Sequence, residues 1–209
     1  MEITQTTLYQ VGGNRGIGYA IVYVAGTRIR DATVLVGCRA VEIAEESIRR
    51  LKELGVRAKL EPLETNITDD ASIKAAVKTV GERYRKLDVL VTKAFLPLLR
   101  KAEWGRAIMI SSARGSISRT KSFEVPPTQH WMYNCSKAAL NLVIKETDRI
   151  TFWTASPGHC KTAFNNFRGF KDPLEGAEVI ARLLEARRYE IPAGTSWKFE
   201  QGNFQQVPW

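Results

Sequence analysis

The stretch TTLYQVGGNRGIGYAIVYVAG, residues 6–26, joins a short apolar run to a second apolar segment through a turn rich in glycine. The run at 6–11 has the length and composition of a buried strand, and the segment after the glycines repeats its apolar positions at helical spacing. A strand, a glycine turn and a helix in this order predict the first unit of a parallel sheet.

The same alternation continues through the chain. Strand-like runs lie at 32–38, 56–63, 87–91, 106–111 and 149–155, and helical patterns lie at 40–55, 69–86, 131–146 and 172–188. Pro62 predicts the end of the third run, and the tail at 193–209 predicts one last strand whose aromatic end packs on the body. Buried strands alternating with helices predict an α/β fold, a single Rossmann-type doubly wound parallel sheet with helices on both faces.

Composition narrows the class of protein. A chain of 209 residues that is 44% hydrophobic and 25% charged is typical of one soluble domain, so we expect a single domain over 1–209. Neither a membrane span nor an export signal is recognisable. Three cysteines far apart in sequence, and two histidines without ligand spacing, favour a cytoplasmic protein with reduced thiols and no metal site.

The glycine turn has the spacing of a phosphate-binding turn. Gly12, Gly16 and Gly18 form G-x-x-x-G-x-G between the first strand and the first helix. Glycine lets the backbone turn tightly and approach a pyrophosphate, which then binds where the free N–H groups of the helix point outward. A tight turn without any ligand is the alternative, but the position after the first strand favours dinucleotide binding.

Charge beside the second strand distinguishes two cofactors. An acidic residue there would hold the ribose 2′-hydroxyl of NAD, whereas arginine accommodates the 2′-phosphate of NADP. The second strand leads into Arg39 without an acidic residue, and Arg15 lies inside the glycine turn. We therefore predict that NADP(H) is preferred over NAD(H).

Tyr133 and Lys137 stand four residues apart, on one face of a predicted helix. Because an ammonium stabilises a phenolate, such a tyrosine could pass a proton to a carbonyl oxygen as hydride arrives from NADPH. Ser111 and Ser112 follow a strand and could hold that oxygen. A tyrosine–lysine pair alone is also typical of an ordinary helix surface, and the glycine turn in the same chain favours the catalytic interpretation.

Three motifs in this order, GGNRGIG at 12–18, YNCSK at 133–137 and SPGHCKT at 156–162, resemble those of the short-chain dehydrogenase/reductase family and its carbonyl-reductase-like branch. The resemblance covers nearly the whole chain. It implies that Ser112 holds the carbonyl oxygen, that Tyr133 is the acid and base, and that Lys137 also binds the nicotinamide ribose. The implied cofactor-binding residues are Gly12, Asn14, Arg15, Gly16, Ile17, Gly18, Arg39, Asn66, Pro157, Gly158 and Thr162.

The resemblance also places the substrate side of the site. Asn66 stands where the family usually has an aspartate that contacts adenine. The segment 165–173 would form part of a substrate lid. Phe164, Phe167 and Phe170 suggest an apolar substrate pocket, although ordinary packing would explain them equally.

The stretch LDVLVTKAFLPLL, residues 87–99, departs from the family. Members follow such a strand with Asn-Asn-Ala-Gly, a loop and a long helix whose asparagine supports the proton relay, and the segment 92–99 resembles only the later part of that helix. A helix that starts at Thr92 would carry Pro97 about one turn inside, which suits the middle of a longer helix. We interpret this joint as the site of a missing segment, and a second shortening lies between Lys137 and Pro157.

These observations predict an NADP(H)-dependent oxidoreductase that transfers hydride between the nicotinamide and a carbonyl or alcohol group of a small apolar substrate. The alternative is a cofactor-binding pseudoenzyme or regulatory protein, since the relay asparagine and its loop are absent. A nucleic-acid partner, suggested by the net charge of +9, is disfavoured because the basic residues are spread along helices. No membrane partner is expected, and the resemblance leaves a homo-oligomer open.

Overall fold

The computed structural model of the chain describes residues 5–90, 95–122, 131–142 and 150–209. These residues form an eight-stranded sheet in the order β3-β2-β1-β4-β5-β6-β7-β8. Its strands are β1 Thr6–Val11, β2 Ala32–Cys38, β3 Lys59–Glu64, β4 Val89–Leu90, β5 Gly105–Ile110, β6 Ile150–Ser156, β7 Thr195–Glu200 and β8 Asn203–Val207. The helices are α1 Gly16–Arg28, α2 Val41–Glu53, α3 Asp70–Tyr84, α4 Leu96–Leu99, α5 Ile117–Lys121, α6 Trp131–Leu142 and α7 Pro173–Glu185.

The strand order is that of a doubly wound sheet. Strands β1 to β7 pair in parallel, and β8 is antiparallel to β7. Strands β2 and β3 follow β1 on one side, and β4 and the later strands follow on its other side, so the strand order reverses at β1. Open α/β sheets bind ligands in the crevice at such a point. The predicted Rossmann-type fold is confirmed.

Side chains of the sheet alternate between two cores, one on each face. Leu8 and Trp153 pack with α1, α2 and α7, whereas the neighbouring Tyr9 and Phe152 pack with α3 and α4. Full burial of side chains of this size stabilises the fold by about 1.5–3 kcal/mol each. None of the helices in the described ranges is long and apolar enough to cross a membrane.

Two predictions about strands were wrong. Strand β3 does not end at Pro62 but continues to Glu64, because β3 is an edge strand and the missing N–H of proline is tolerated there. The tail forms two strands instead of one. Gln201 and Gly202 both adopt positive φ, at 50° and 78°, and this conformation turns β7 directly into β8.

The helix after β4 is also shorter than predicted. Residues 91–94 lie outside the described ranges, and α4 is the single turn Leu96–Leu99. Pro97 is its second residue, a position where proline fits a helix without loss. The position of Pro97 therefore gives no support to a longer helix.

Glu61 connects the edge strand β3 to α3. Its carboxylate accepts a hydrogen bond from the Tyr84 hydroxyl at 2.5 Å and pairs with Arg83 at 2.7 Å and with Lys59 at 2.5 Å. Burial raises the pKa of Glu61. The hydrogen bonds from Lys59 and Tyr84 and the charge of Arg83 together lower it by more, so the pKa lies below the ordinary 4.5.

We expect Glu61→Gln to lower the free energy of unfolding at pH 7 by about 1–3 kcal/mol, because charge-assisted hydrogen bonds are lost. A carboxylate with a depressed folded-state pKa stabilises the fold above its unfolded pKa and loses this effect as pH falls through the folded pKa. The gap between wild type and variant, measured by urea unfolding, should therefore narrow below pH 4.5. Glu64→Gln, an exposed change on the same strand, is the control, and an equal loss in both variants would contradict the assignment.

Candidate active site

The predicted site residues gather where the parallel strands end. Val11 of β1 is level with Gly37 of β2, and Ile110 of β5 is level with Ala155 of β6. The carboxyl ends of these strands therefore share one edge of the sheet, and the three sequence motifs all lie beyond that edge.

The glycine turn follows β1 and brings its backbone close to α1. Gly12 and Gly16 have φ of +65° and +55°, a conformation that side chains rarely adopt. A Cβ on Gly18 would lie 2.1 Å from the Gly12 carbonyl oxygen. Space beside Gly12 is open, with no atom within 4 Å of where its Cβ would be. The turn is thus packed closely against α1 at Gly18 and leaves open space beside Gly12. A pyrophosphate could approach the backbone in that space, so the turn fits a dinucleotide.

The rest of the turn is fixed by its neighbours. The carbonyl oxygen of Asn14 accepts a hydrogen bond from the Ser47 hydroxyl at 3.1 Å. Arg15 precedes α1 in an extended conformation and is exposed. Ile17 is half-buried and packs towards Gly176 of α7, where an added Cβ would lie 3.1 Å from its Cδ1.

The segment after β6 faces the glycine turn. A Cβ on Gly16 would lie 3.5 Å from Cγ2 of Thr162, so the two motifs are in contact across the crevice. Thr162 begins a short turn of 3₁₀ helix, Ala163–Asn165. Pro157 is buried and Gly158 has a φ of +87°, which lets the chain bend directly after the strand. The motifs at 12–18 and 156–162, far apart in sequence, are thus side by side in the fold, as the resemblance implies.

The turn after β5 gives its two serines different partners. The buried hydroxyl of Ser111 donates to Oδ1 of Asn141 at 2.7 Å and serves to hold α6. The half-buried Ser112 has an oxygen that accepts from the Arg114 N–H at 3.2 Å. Ser112 is therefore the serine with capacity to bind a substrate oxygen. Asn141 was missed, although its place four residues after Lys137 could have indicated a shared helix face.

Tyr133 and Lys137 lie together on α6. The ammonium nitrogen of Lys137 is 5.6 Å from the centre of the Tyr133 ring, within the range of a cation–π contact. It also donates a hydrogen bond to the carbonyl oxygen of Ile110, at the end of β5, at 2.9 Å. Burial lowers the pKa of Lys137. The Tyr133 side chain is exposed, so it can reach a substrate.

The turn that carries Ser112 contacts both β6 and α6. The Ala113 N–H donates to the hydroxyl of Ser156, the last residue of β6, at 2.9 Å. A Cβ on Gly115 would lie 2.8 Å from the backbone of Lys137 and Ala138, so α6 rests directly on the turn that carries Ser112. Both contacts involve residues that the sequence did not single out.

The residues predicted to bind the adenosine end are at the same edge. Arg39 follows β2 directly and is exposed, and among the described residues neither Arg39 nor Arg15 has an ion-pair partner. Asn66 uses its side-chain oxygen within its own turn, where it accepts from the Thr68 N–H at 3.2 Å and from the Thr68 hydroxyl at 2.8 Å. This oxygen is less available to adenine than the sequence suggested.

The three phenylalanines do not enclose a pocket. Phe164, Phe167 and Phe170 are 89%, 60% and 83% exposed, so they form an open apolar surface and do not pack in the core. Phe170 contacts the ring of His159 edge to face. In the part of the chain that the structure describes, no group of three His, Cys, Asp or Glu side chains could hold a metal ion.

Comparison with known proteins agrees with the geometry. The family model described as short chain dehydrogenase matches residues 6–94. A short-chain dehydrogenase/reductase of Aspergillus fumigatus is 29% identical, over 95% of this chain and 95% of that protein. The short-chain dehydrogenase anuI of Penicillium roqueforti is 28% identical, over 86% of this chain and 88% of the relative. The resemblance to the short-chain dehydrogenase/reductase family is confirmed over nearly the whole chain. This similarity indicates an oxidoreductase with a fold that binds a nicotinamide cofactor.

Solved structures show the same fold. Salutaridine reductase from Papaver somniferum superposes with a TM-score of 0.78 at 17% identity, over 94% of this chain and 100% of that one. NADPH-bound carbonyl reductase from chicken fatty liver superposes with a TM-score of 0.75 at 23% identity, over 100% of both chains. The fold of this chain is therefore the fold of these reductases.

Substitution of the two serines should affect different properties, stability for Ser111 and turnover for Ser112. Ser111→Ala leaves a buried amide oxygen of Asn141 without its donor, so we expect a loss of about 1–3 kcal/mol in the free energy of unfolding. Ser112→Ala should keep stability within about 1 kcal/mol, because it removes one cap on a short turn, but should lower kcat about 10²–10³-fold. Urea unfolding and steady-state kinetics on both variants test this. The reverse pattern would exchange the two roles.

Proposed function

We propose that this short-chain dehydrogenase/reductase uses NADP(H) to interconvert a carbonyl and an alcohol on a small substrate with an apolar body. Ser112, Tyr133 and Lys137 are the proposed catalytic residues. The observation that carries the proposal is the pair on α6: an ammonium held 5.6 Å from the Tyr133 ring, directly above the turn that presents Ser112.

In reduction, Tyr133 would donate its hydroxyl proton to the carbonyl oxygen, and the Ser112 hydroxyl would hold that oxygen in place. The bound cofactor supplies the hydride that the carbonyl carbon receives. Lys137 would stabilise the phenolate left on Tyr133, since the cation is close and partly shielded from water. Its hydrogen bond to Ile110 fixes the ammonium without neutralising it, because a carbonyl carries no net charge.

The proposed preference for NADP(H) rests on the two arginines at the adenosine end. Arg15 and Arg39 lie beyond adjacent strands, and both are exposed. A guanidinium without an ion partner offers all of its donors to a phosphate, which it binds in bidentate geometry. The glycine turn, Asn66 and the segment Pro157 to Thr162 would hold the remainder of the cofactor.

The apolar body of the substrate is supported by the segment that follows Thr162. It carries Phe164, Phe167 and Phe170 next to the site, and all three rings are exposed. Exposed aromatic rings grouped beside a site gain from covering an apolar ligand.

We also propose that residues 1–209 form one domain that works in the cytoplasm. All eight strands between residue 6 and residue 207 belong to one sheet, which supports a single domain. The three cysteines are free thiols, two of them buried, and this supports a reducing compartment.

The second candidate is a cofactor-binding pseudoenzyme. Only residues 91–94 stand between Leu90 and the buried Phe95, which precedes α4, so the sequence is short here for the family's loop and for the helix that carries its relay asparagine. The alignment with the Aspergillus protein runs over 254 positions, more than the 209 residues of this chain, so the relative has residues at positions where this chain has none. This candidate predicts that NADPH raises the melting temperature while a broad panel of carbonyl compounds is left unreduced.

Removal of one hydroxyl tests the catalytic role. We expect Tyr133→Phe to lower kcat by about 10²–10⁴-fold, because the proton donor is lost. The rise in melting temperature on addition of NADPH should be retained, since the substitution leaves the glycine turn intact. Tyr189→Phe is the matched control, an equally small change at an exposed tyrosine in the loop between α7 and β7. Unchanged turnover in Tyr133→Phe would overturn the mechanism.

Reversal of one charge tests the cofactor preference. We expect Arg39→Asp to weaken NADPH binding at least about tenfold and to strengthen NADH binding, because a carboxylate repels the 2′-phosphate and accepts from the 2′-hydroxyl. Dissociation constants from cofactor fluorescence measure both effects. Arg57→Asp makes the same charge change just before β3, at the amino-terminal end of the strand and away from the site, and controls for net charge. Parallel losses in the two variants would refute a specific contact.

A further inference from the structure

The end of the chain is bonded to the segment that follows the catalytic serine. The Ser116 hydroxyl donates to the carbonyl oxygen of Pro208 at 2.5 Å. The backbone N–H of Ser118 donates to the oxygen of Trp209 at 2.9 Å, and the Ser118 hydroxyl donates to the same oxygen. The tail Pro208–Trp209, which follows β8, is therefore tied to this segment by three hydrogen bonds.

Ser116 links the tail to the turn that presents Ser112. Its side chain is 1% exposed, and its oxygen also accepts from the Arg119 N–H at 3.2 Å. Its own N–H donates to the Ala113 carbonyl at 3.1 Å, and the Gly115 N–H donates to the Ser112 carbonyl at 2.9 Å. Ser116 is thus bonded both to the tail and to the turn, and the bond of the neighbouring Gly115 extends this linkage to the backbone of Ser112.

The same turn carries α6 on its other side. The position of a Cβ on Gly115 lies 2.8 Å from the Ala138 nitrogen and 2.8 Å from the Lys137 carbonyl carbon. At such close contact a shift of the turn must move α6 or open a gap beneath it. Displacement of the tail would therefore reach both Ser112 and Lys137.

Packing alone does not hold α6 against such a shift. Among its described residues, Asn141 is the one that is buried, and the rest are half-buried or exposed. Leu140 alone of these residues packs against the core as a partly buried apolar side chain. Helix α6 therefore takes its position from its polar contacts with Ser111 and Ile110 and from the turn at 112–116 on which it rests.

We propose that the tail Pro208–Trp209 is a positioning element of the active site, and that Ser116 is the positioning residue through which it acts. This inference rests on the proposed function for its effect on turnover. It assigns no contact with substrate to the tail or to Ser116. A purely structural tail would lower stability alone, whereas a positioning tail lowers kcat at unchanged cofactor affinity.

The test compares Ser116→Ala, a chain that lacks Pro208 and Trp209, and a chain that combines both changes. Each of the first two should lower kcat about tenfold to a hundredfold, because small misplacements of catalytic groups are costly, with the NADPH dissociation constant unchanged. The combined variant should lose no more than the worse single one, since both changes break the same linkage.

Thr151→Val is the control for stability. It removes the hydrogen bond of Trp104 to Thr151, 2.8 Å long, near the start of β6 and away from the site, and should lower the melting temperature while kcat stays within about twofold. Values of kcat within about twofold of wild type in both tail variants, or losses that multiply in the combined chain, would overturn the proposal. If the shortened chain does not fold, Ser116→Ala alone decides.

Amide hydrogen exchange separates this proposal from the proposed function. Loss of the tail should speed exchange at Gly115 and Ser118 about tenfold, because their N–H groups belong to the linkage. A wild type that reduces no carbonyl but shows this faster exchange on truncation would refute the oxidoreductase and retain the positioning contact. An active wild type whose exchange at Gly115 is indifferent to truncation would refute the positioning contact alone.

Discussion

The close approach of β1 to α1 at the glycine turn is the constraint on which the site depends. A Cβ at position 18 would lie 2.1 Å from the Gly12 oxygen, so any larger residue there would push the helix away from the strand. With glycine, α1 starts directly at the strand end, where its free N–H groups face the crevice. The same seating brings Gly16 against Thr162 and Ile17 towards α7, and the segment after β6 thereby becomes the opposite wall.

Helix α6, which carries the proposed catalytic pair, is fixed in a different way from α1. Helix α1 buries seven residues, among them Ile21 and Val22, whereas α6 depends on polar contacts at its described residues: Ser111 with Asn141, and Lys137 with Ile110. Hydrogen bonds are directional, so they define the position of the helix more narrowly than apolar contact would. Lys137 therefore has two roles, since the same ammonium anchors α6 to β5 and stands beside the proposed proton donor.

The sequence was sufficient to predict the features that depend on hydrophobic periodicity or on a specific motif. Alternation of buried strands and helices sufficed for the sheet, and the glycine spacing sufficed for the turn. Pro62 misled because its cost depends on the strand's place in the sheet, which is known only once β3 is seen at the edge. The contact of Ser111 with Asn141 was out of reach for a similar reason. Adjacent residues of an extended chain point to opposite sides, and the partner Asn141 is 30 positions away.

The described residues on either side of 91–94 pack together in the core. Phe95 is buried against Tyr9, with ring centres 4.7 Å apart, and the Leu87 N–H donates to the Leu98 carbonyl at 3.2 Å, so α4 folds back onto the start of β4. Leu99 closes the contact, since Gly105 leaves room for its carbonyl where a Cβ would lie 2.4 Å away. One turn of helix thus covers this part of the sheet. The described core therefore closes without any residue of the segment that we propose to be missing.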